Sequence, residues 1–234
     1  MKLFLAAVTL LFASSVAAQP QSPGASSATQ PAVTFDFEWR EGIPWQAYSI
    51  TVLADGKAHF QGTPTPDDTN GDSEPFQQDF VMSDANRQMV FDLAGKLHYF
   101  RGDYDSHLKK IAQTGRKTLE YKSAEEQGST TYNYSANPDV QQLTHIFQGT
   151  AATLDYGRKL AFQYRFDKLG MDQRLKELEK SQAGHDVEEL GAIEPILRKI
   201  ANDPNLMRIS QQTAQQLLKA IGAPGLVTEN PTQP

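Results

Sequence analysis

Two alternating runs joined by Asp55-Gly56 set the fold class of this chain. Tyr48, Ile50 and Val52 alternate with Ser49 and Thr51. Beyond the Asp-Gly pair, Ala58 and Phe60 alternate with Lys57, His59 and Gln61. A period of two puts the apolar set on one face of an extended strand. Asp-Gly between two such runs predicts a hairpin with a type I′ turn, whose central residues both need positive φ. A lone hairpin is marginal in water, so its apolar face needs further strands or helices.

The neighbouring segments supply both. Val33, Phe35, Phe37 and Trp39 share one face of a strand over 33–39, and Gly42 and Pro44 end it. Phe76, Phe80 and Met82 alternate with polar residues and predict another strand. Ser83 is a good N-cap, with Asp84 in the first turn. Met89, Val90, Leu93, Leu97 and Phe100 then recur at helical spacing, which predicts an amphipathic helix over 84–98. Lys117–Lys122 and Ser129–Tyr134 form a second strand pair, with Leu119 and Tyr121 facing Thr130, Tyr132 and Tyr134. Asn137-Pro138 opens a helix, with Asn as cap and Pro where its missing N–H costs nothing. The order reads β-β-β-α-β-β-α. Hairpins without strand–helix–strand alternation argue for an antiparallel sheet with helices packed on one face, an α+β domain, followed by a C-terminal helical module.

The helical part starts inside a run without proline. From Pro138 to about Gln182, Leu143, Phe147, Leu154, Leu169, Leu175 and Leu178 recur at helical intervals. One unbroken helix would be about 67 Å long, so either it projects or it breaks near Gly157 or Gly170. Asp186 is read as the cap of a further helix carrying Leu190, Ile193, Leu197 and Ile200, with Pro195 kinking it or starting a new turn. Asp203-Pro204 opens a last helix that ends at Gly222 and Pro224.

Over about 35–150 the chain resembles a family of exported bacterial domains of unknown function. The resemblance rests on Ile50-Thr51-Val52-Leu53-Ala54-Asp55-Gly56, on Phe60-Gln61-Gly62, and on Asp79-Phe80-Val81-Met82-Ser83 leading into a helix with Leu93. The second hairpin and a closing helix near Leu143 and Ile146 fit as well. The resemblance implies a fold and a compartment, and no activity for any named residue.

The N-terminus has the layout of a secretory signal. Lys2 precedes an apolar stretch from Leu3 to Ala13, and Val16-Ala17-Ala18 places small residues for cleavage after Ala18. That stretch is too short to span a bilayer. Residues 19–31 and 223–234 have almost no large apolar side chains and read as a disordered leader and tail. The expected division is 1–18 signal peptide, 32–150 α+β domain and 151–222 helical module. The expected location is periplasmic or extracellular. No cysteine is present, which excludes disulfides, cysteine-zinc sites and thiol nucleophiles. With 22 Lys+Arg against 28 Asp+Glu the net charge is −6. An acidic balance argues against a nucleic-acid partner.

Few residues suggest chemistry. Asp68, Asn70, Asp72 and Asp79 stand at positions 1, 3, 5 and 12 of a loop, the spacing by which such loops wrap calcium. Ser73 replaces the glycine of the sharp turn, and Pro75 disturbs the backbone beside the carbonyl ligand. His98 and His107 flank Asp103 and Asp105, a possible acid–base or metal cluster. Glu125-Glu126 and Glu188-Glu189 are adjacent pairs that point apart and read as solvated surface. Arg158, Lys159, Arg165 and Lys168 interleave with Tyr156, Phe162, Tyr164 and Phe166. That pattern suits an anionic membrane or acidic partner, and equally suits cations lying over a core. No catalytic residue and no cofactor other than calcium is indicated. The sequence therefore points to a non-enzymatic binding or interaction module whose partner is a protein or envelope component. The competing expectation is a cell-envelope hydrolase with dispersed catalytic residues.

Overall fold

The computed structural model describes residues 30–39, 41, 44–66 and 74–223. The expected signal segment, nearly all of the expected leader and tail, and Asp68, Asn70 and Asp72 of the candidate calcium loop lie outside the described residues. The protein is α+β: a six-stranded antiparallel sheet, helices on one face, and a C-terminal helical region.

Four strands precede the first helix, one at each of the four alternating runs, which the order β-β-β-α counts one short. They are β1 (Ala32–Glu38), β2 (Trp45–Leu53), β3 (Lys57–Pro64) and β4 (Phe76–Val81). After helix α1 (Asp84–Lys96) come β5 (Arg116–Lys122) and β6 (Gln127–Tyr132). The sheet order is β4-β3-β2-β1-β5-β6, so β1 lies in the middle. Phe35 pairs with Ile50 of β2 on one side and Leu119 of β5 on the other.

The β2–β3 hairpin departs from the expected turn. β2 ends at Leu53 and β3 begins at Lys57, leaving Ala54, Asp55 and Gly56 as a three-residue connection. Only Gly56 has positive φ, at 90°. Its N–H donates to Leu53 O at 2.9 Å. This is a turn closed by a left-handed glycine rather than type I′, which would need Asp55 left-handed as well.

Alternation decides what each strand buries. Val33, Phe35, Ile50, Val52, Phe60 and Leu119 are fully buried beneath the helices. The opposite face carries Thr34, Asp36, Ser49, Thr51, His59, Gln61, Thr118 and Thr131 and remains polar. Tyr134 falls beyond β6 and is exposed, so it does not face Leu119. In α1, Ser83 Oγ accepts from Asn86 N at 3.4 Å, as its N-cap position predicts. Met89 is exposed, because the buried stripe runs through Val90, Leu93 and Ala94.

Helix α2 (Pro138–Phe166) crosses the sheet. Asn137 Oδ1 accepts from Asp139 N at 2.9 Å, and Pro138 opens the first turn. Thr144 meets Tyr132 OH of β6 at 2.6 Å. Phe147 stacks on Phe35 of β1 at 5.1 Å between ring centres. Ala151 O then accepts from Trp45 Nε1 of β2 at 3.2 Å. The helix therefore passes obliquely from the β6 edge toward the β4 edge. At about 1.5 Å per residue it is about 43 Å long, and its end overruns the sheet.

The run without proline breaks at Gly170, not Gly157. Helices α3 (Met171–Ala183), α4 (Glu194–Ala201) and α5 (Arg208–Ala220) follow. Two sequence expectations fail here. Asp186–Glu189 does not open a helix: Glu189 is left-handed (φ 55°) and leads into a 3-10 turn, Leu190–Ile193. Pro195 instead lies in the first turn of α4. Asp203-Pro204 also fails to start a helix, since α5 begins at Arg208. Asp203 Oδ1 instead caps a turn by accepting from Asn205 N at 2.9 Å. Helix α2 runs through residue 150 without interruption, and Leu175, Leu197 and Leu217 belong to the same buried cluster as Phe35 and Ile50.

Candidate functional site, a groove beside an open sheet edge

The two edges of the sheet are treated differently. Along β6, the segment 101–106 runs outside the strand. Arg101 Nε donates to Gln127 O at 3.0 Å, and Asn133 N donates to Asp105 Oδ2 at 2.7 Å. Ser106 N donates to Tyr134 O at 2.8 Å. Gly128 is a close approach: a Cβ there would stand 2.2 Å from Tyr99 O, within the left-handed turn at 98–100. Guarding an edge in this way blocks pairing with another chain.

The β4 edge has no such cover among the described residues. Met82 N donates to Gly56 O at 2.9 Å. Antiparallel ladders alternate, so Phe80, Gln78 and Phe76 exchange bonds with Ala58, Phe60 and Gly62 of β3. Gln77, Asp79 and Val81 therefore aim their N–H and C=O groups away from the sheet.

A groove of about 880 Å³ runs beside that edge. Phe76, Gln78 and Phe80 form one wall, Gly157, Arg158 and Ala161 of α2 the floor, and Ile193, Pro195 and Ile196 the other wall. Two contacts fix its width. Gln78 Nε2 donates to Ala192 O at 2.7 Å. A Cβ on Gly157 would lie 2.3 Å from Ile193 Cγ2, so only glycine admits the 190–193 turn this close to α2.

Arg158 brings a charge to the floor. Asp155 accepts from Arg158 and from Lys159, each at 2.8 Å, and all three are buried. The Arg158 guanidinium lies over the Trp45 ring at 5.2 Å. Arg198 at the rim pairs with Glu194 at 2.5 Å. Arg158 and Lys159 are thus fixed inside the fold rather than displayed on a surface. Asp155 is the residue that sequence reasoning missed, although its spacing to both cations is that of neighbours on one helix face.

Glu188 and Glu189 are not solvated surface. Glu189 is buried and accepts from Ser83 N at 2.8 Å, Ser83 Oγ at 2.7 Å and Asn86 Nδ2 at 2.8 Å. Glu188 accepts from Asn86 Nδ2 at 3.1 Å and stands 3.4 Å from His145 Nε2. This clasp at the N-terminus of α1 fastens the 184–193 segment beside β4 and so holds the second wall of the groove. A carboxylate is favoured there by the helix dipole.

Asp79 lines the groove at its β4 side, and the remaining sequence candidates lie elsewhere. Asp79 sits in β4, where its carboxylate meets His59 Nδ1 at 2.6 Å across the strand pair. His107 gathers Asp103 at 2.8 Å and Asp105 at 3.6 Å, and His98 is not part of that group. Asp103 raises the His107 pKa, and His107 in turn lowers that of Asp103. Lys117 is buried with its Nζ donating to Thr114, Gly115 and Asn133 oxygens at 2.9–3.3 Å, and burial pushes it down to about 8. Burial raises Tyr48 and Tyr132. None of these shifted groups lines the groove. Among the described residues, no three His, Asp or Glu side chains are arranged to hold a metal ion. No described helix is long and apolar enough to cross a membrane.

Compared with known proteins, the chain matches no family model and no curated protein.

Proposed function

We propose that this protein is an exported binding module that takes up an extended segment of another protein as an added strand along β4. The observation that carries this reading is the line of outward N–H and C=O groups at Gln77, Asp79 and Val81, beside an apolar groove. Strand addition uses both parts: main-chain bonds supply affinity, and side chains of every second residue enter the groove. The fixed Arg158 and the Gln78 amide give the groove polar points that would set register. The guarded β6 edge supports the same reading, because among the described residues β4 is the edge left to a partner.

Export rests on Lys2, the apolar stretch to Ala13 and the small residues before Gln19. The resemblance to exported bacterial domains of unknown function fits that compartment. Mass spectrometry of the exported protein is expected to find Gln19 at the N-terminus, and an intact Met1 contradicts it.

The binding reading is tested by selecting peptides from a displayed random library against the mature protein. Ligands are expected to alternate apolar residues and to bind without catalytic turnover. N-methylation of a bonded peptide amide should weaken binding about fivefold, the worth of one main-chain hydrogen bond. Methylation of the intervening amides should have little effect. Ligands that tolerate methylation everywhere, or that ignore Ile196→Asp in the groove wall, overturn strand addition.

A further inference from the structure

The overrunning end of α2 carries a second surface, next to the β4 groove and sharing Arg198 with it. Arg165, Phe166, Asp167, Lys168 and Leu169 are five consecutive exposed residues at the corner between α2 and α3. Phe166 is 71% and Leu169 79% exposed, against complete burial of Leu160 before them and of Met171 just after. The Phe166 ring leans on Phe162 at 4.9 Å, so the apolar tip is continuous along the helix end. The corner is held in shape by Gly170 N donating to Asp167 Oδ1 at 3.2 Å.

Cations gather over Tyr164, on the opposite side of the same helix end from Phe166. Lys168 Nζ and Lys199 Nζ lie over the Tyr164 ring at 5.2 and 4.3 Å. Together with Arg198 they line an open cleft of about 650 Å³ in which Asp203 is the one carboxylate. Asp203 is already engaged: Tyr164 OH donates to it at 2.7 Å and Asn205 N at 2.9 Å, and Lys168 Nζ stands 3.7 Å from it. Asp167 is likewise turned to the corner. Arg165 and Lys168 thus flank exposed Phe166 and Leu169 in a protein whose overall charge is −6. Apolar side chains flanked by cations are the arrangement that enters the headgroup layer of an anionic bilayer.

We infer that the α2–α3 corner docks on anionic phospholipid bilayers. Phe166 and Leu169 enter the interface, while Arg165, Lys168 and Lys199 face lipid phosphates.

Co-sedimentation of the mature protein with lipid vesicles tests this. Binding to phosphatidylcholine vesicles containing phosphatidylglycerol is expected to be about tenfold tighter than to phosphatidylcholine alone, and to weaken in high salt. Phe166→Ser with Leu169→Ser should reduce binding by at least about tenfold. Lys168→Gln with Lys199→Gln should remove the preference for the anionic vesicles. All four sites are at the surface, and an unchanged melting temperature confirms that the variants fold. Because the chain has no cysteine, a solvent-sensitive dye on Leu169→Cys reports the tip alone, and its emission should shift to the blue on anionic vesicles. Absent vesicle binding, an unshifted dye, or a tip variant that binds like the parent each overturns the assignment. Photo-crosslinking from position 169 to a polypeptide, with no vesicle binding, would overturn it in favour of a protein partner.

Discussion

Replacing Glu189 by alanine tests the clasp that holds the groove together. Its carboxylate accepts from Ser83 N, Ser83 Oγ and Asn86 Nδ2 at 2.7–2.8 Å. Asn86 keeps a second acceptor in Glu188 at 3.1 Å, so two donors on Ser83 lose their main partner. Hydrogen bonds to a charged group contribute about 1.5–3 kcal/mol each. The carboxylate at the α1 N-terminus adds about 0.5 kcal/mol. Relief of its desolvation offsets part of this, leaving about 3 kcal/mol lost. For a chain of this size that lowers the melting temperature by roughly 6–12 °C. Backbone geometry adds a sign test. Glu189 is left-handed, at φ 55°. Glu189→Gly loses the same bonds but recovers about 1 kcal/mol of backbone strain, so it should be milder than Glu189→Ala. Glu189→Gln, which keeps one acceptor, should be milder than Glu189→Ala as well. Were 186–193 a helix, glycine would instead be worse than alanine by about 1 kcal/mol. Urea and thermal unfolding of the three variants measure the order. An alanine variant within about 0.5 kcal/mol of the parent, or a glycine variant less stable than the alanine one, refutes the clasp.

Other outcomes follow from the packing. Phe147→Ala removes the ring stacked on Phe35 and should cost about 3–5 kcal/mol by denaturant unfolding; a loss under about 1 kcal/mol refutes the packing of α2 on β1. Gly157→Ala pushes a methyl group into Ile193 and should cost about 2 kcal/mol while weakening any groove ligand, and unchanged binding would show that the 190–193 turn does not set the groove. Stability should rise with pH between about 8 and 10, where the unfolded chain holds the Lys117 proton that the folded one has released. It should fall above about 10, because buried Tyr48 and Tyr132 resist the ionisation open to the unfolded chain. Urea midpoints against pH, with Lys117→Met flattening the rise, check both signs. For the Asp68–Asp79 loop, EDTA should leave the melting temperature unchanged because Ser73 and Pro75 depart from the calcium pattern, and a shift reversed by calcium refutes that.

What was legible in the sequence was local. Alternation at 33–39, 48–52, 58–60 and 117–122 marks strands because a period of two needs no partner to be read. Ser83 and Asn137 mark helix starts because a cap acts within three residues. The contrasts arise where distant segments decide. Ala54-Asp55-Gly56 closes with one left-handed residue because the register of β2 with β3 leaves three residues to span. Glu189 carries no local sign of burial, since its partners Ser83 and Asn86 lie more than a hundred residues away. Arg158 and Lys159 resemble surface cations until Asp155 and Trp45 are placed beside them. The candidate site was least legible of all. That β4 is an outer strand follows from β1 sitting between β2 and β5, a pairing that spans the chain.

Amide hydrogen exchange along β4 tests the central claim most directly. In the free protein, Gln78 and Phe80 should exchange slowly, because their N–H groups are bonded to β3. Gln77, Asp79 and Val81 should exchange orders of magnitude faster, because theirs point outward. A selected peptide should slow those three and leave Gln78 and Phe80 as they were. Equal, slow exchange at all five residues in the free protein would mean that the β4 edge is already paired, and strand addition there would be contradicted.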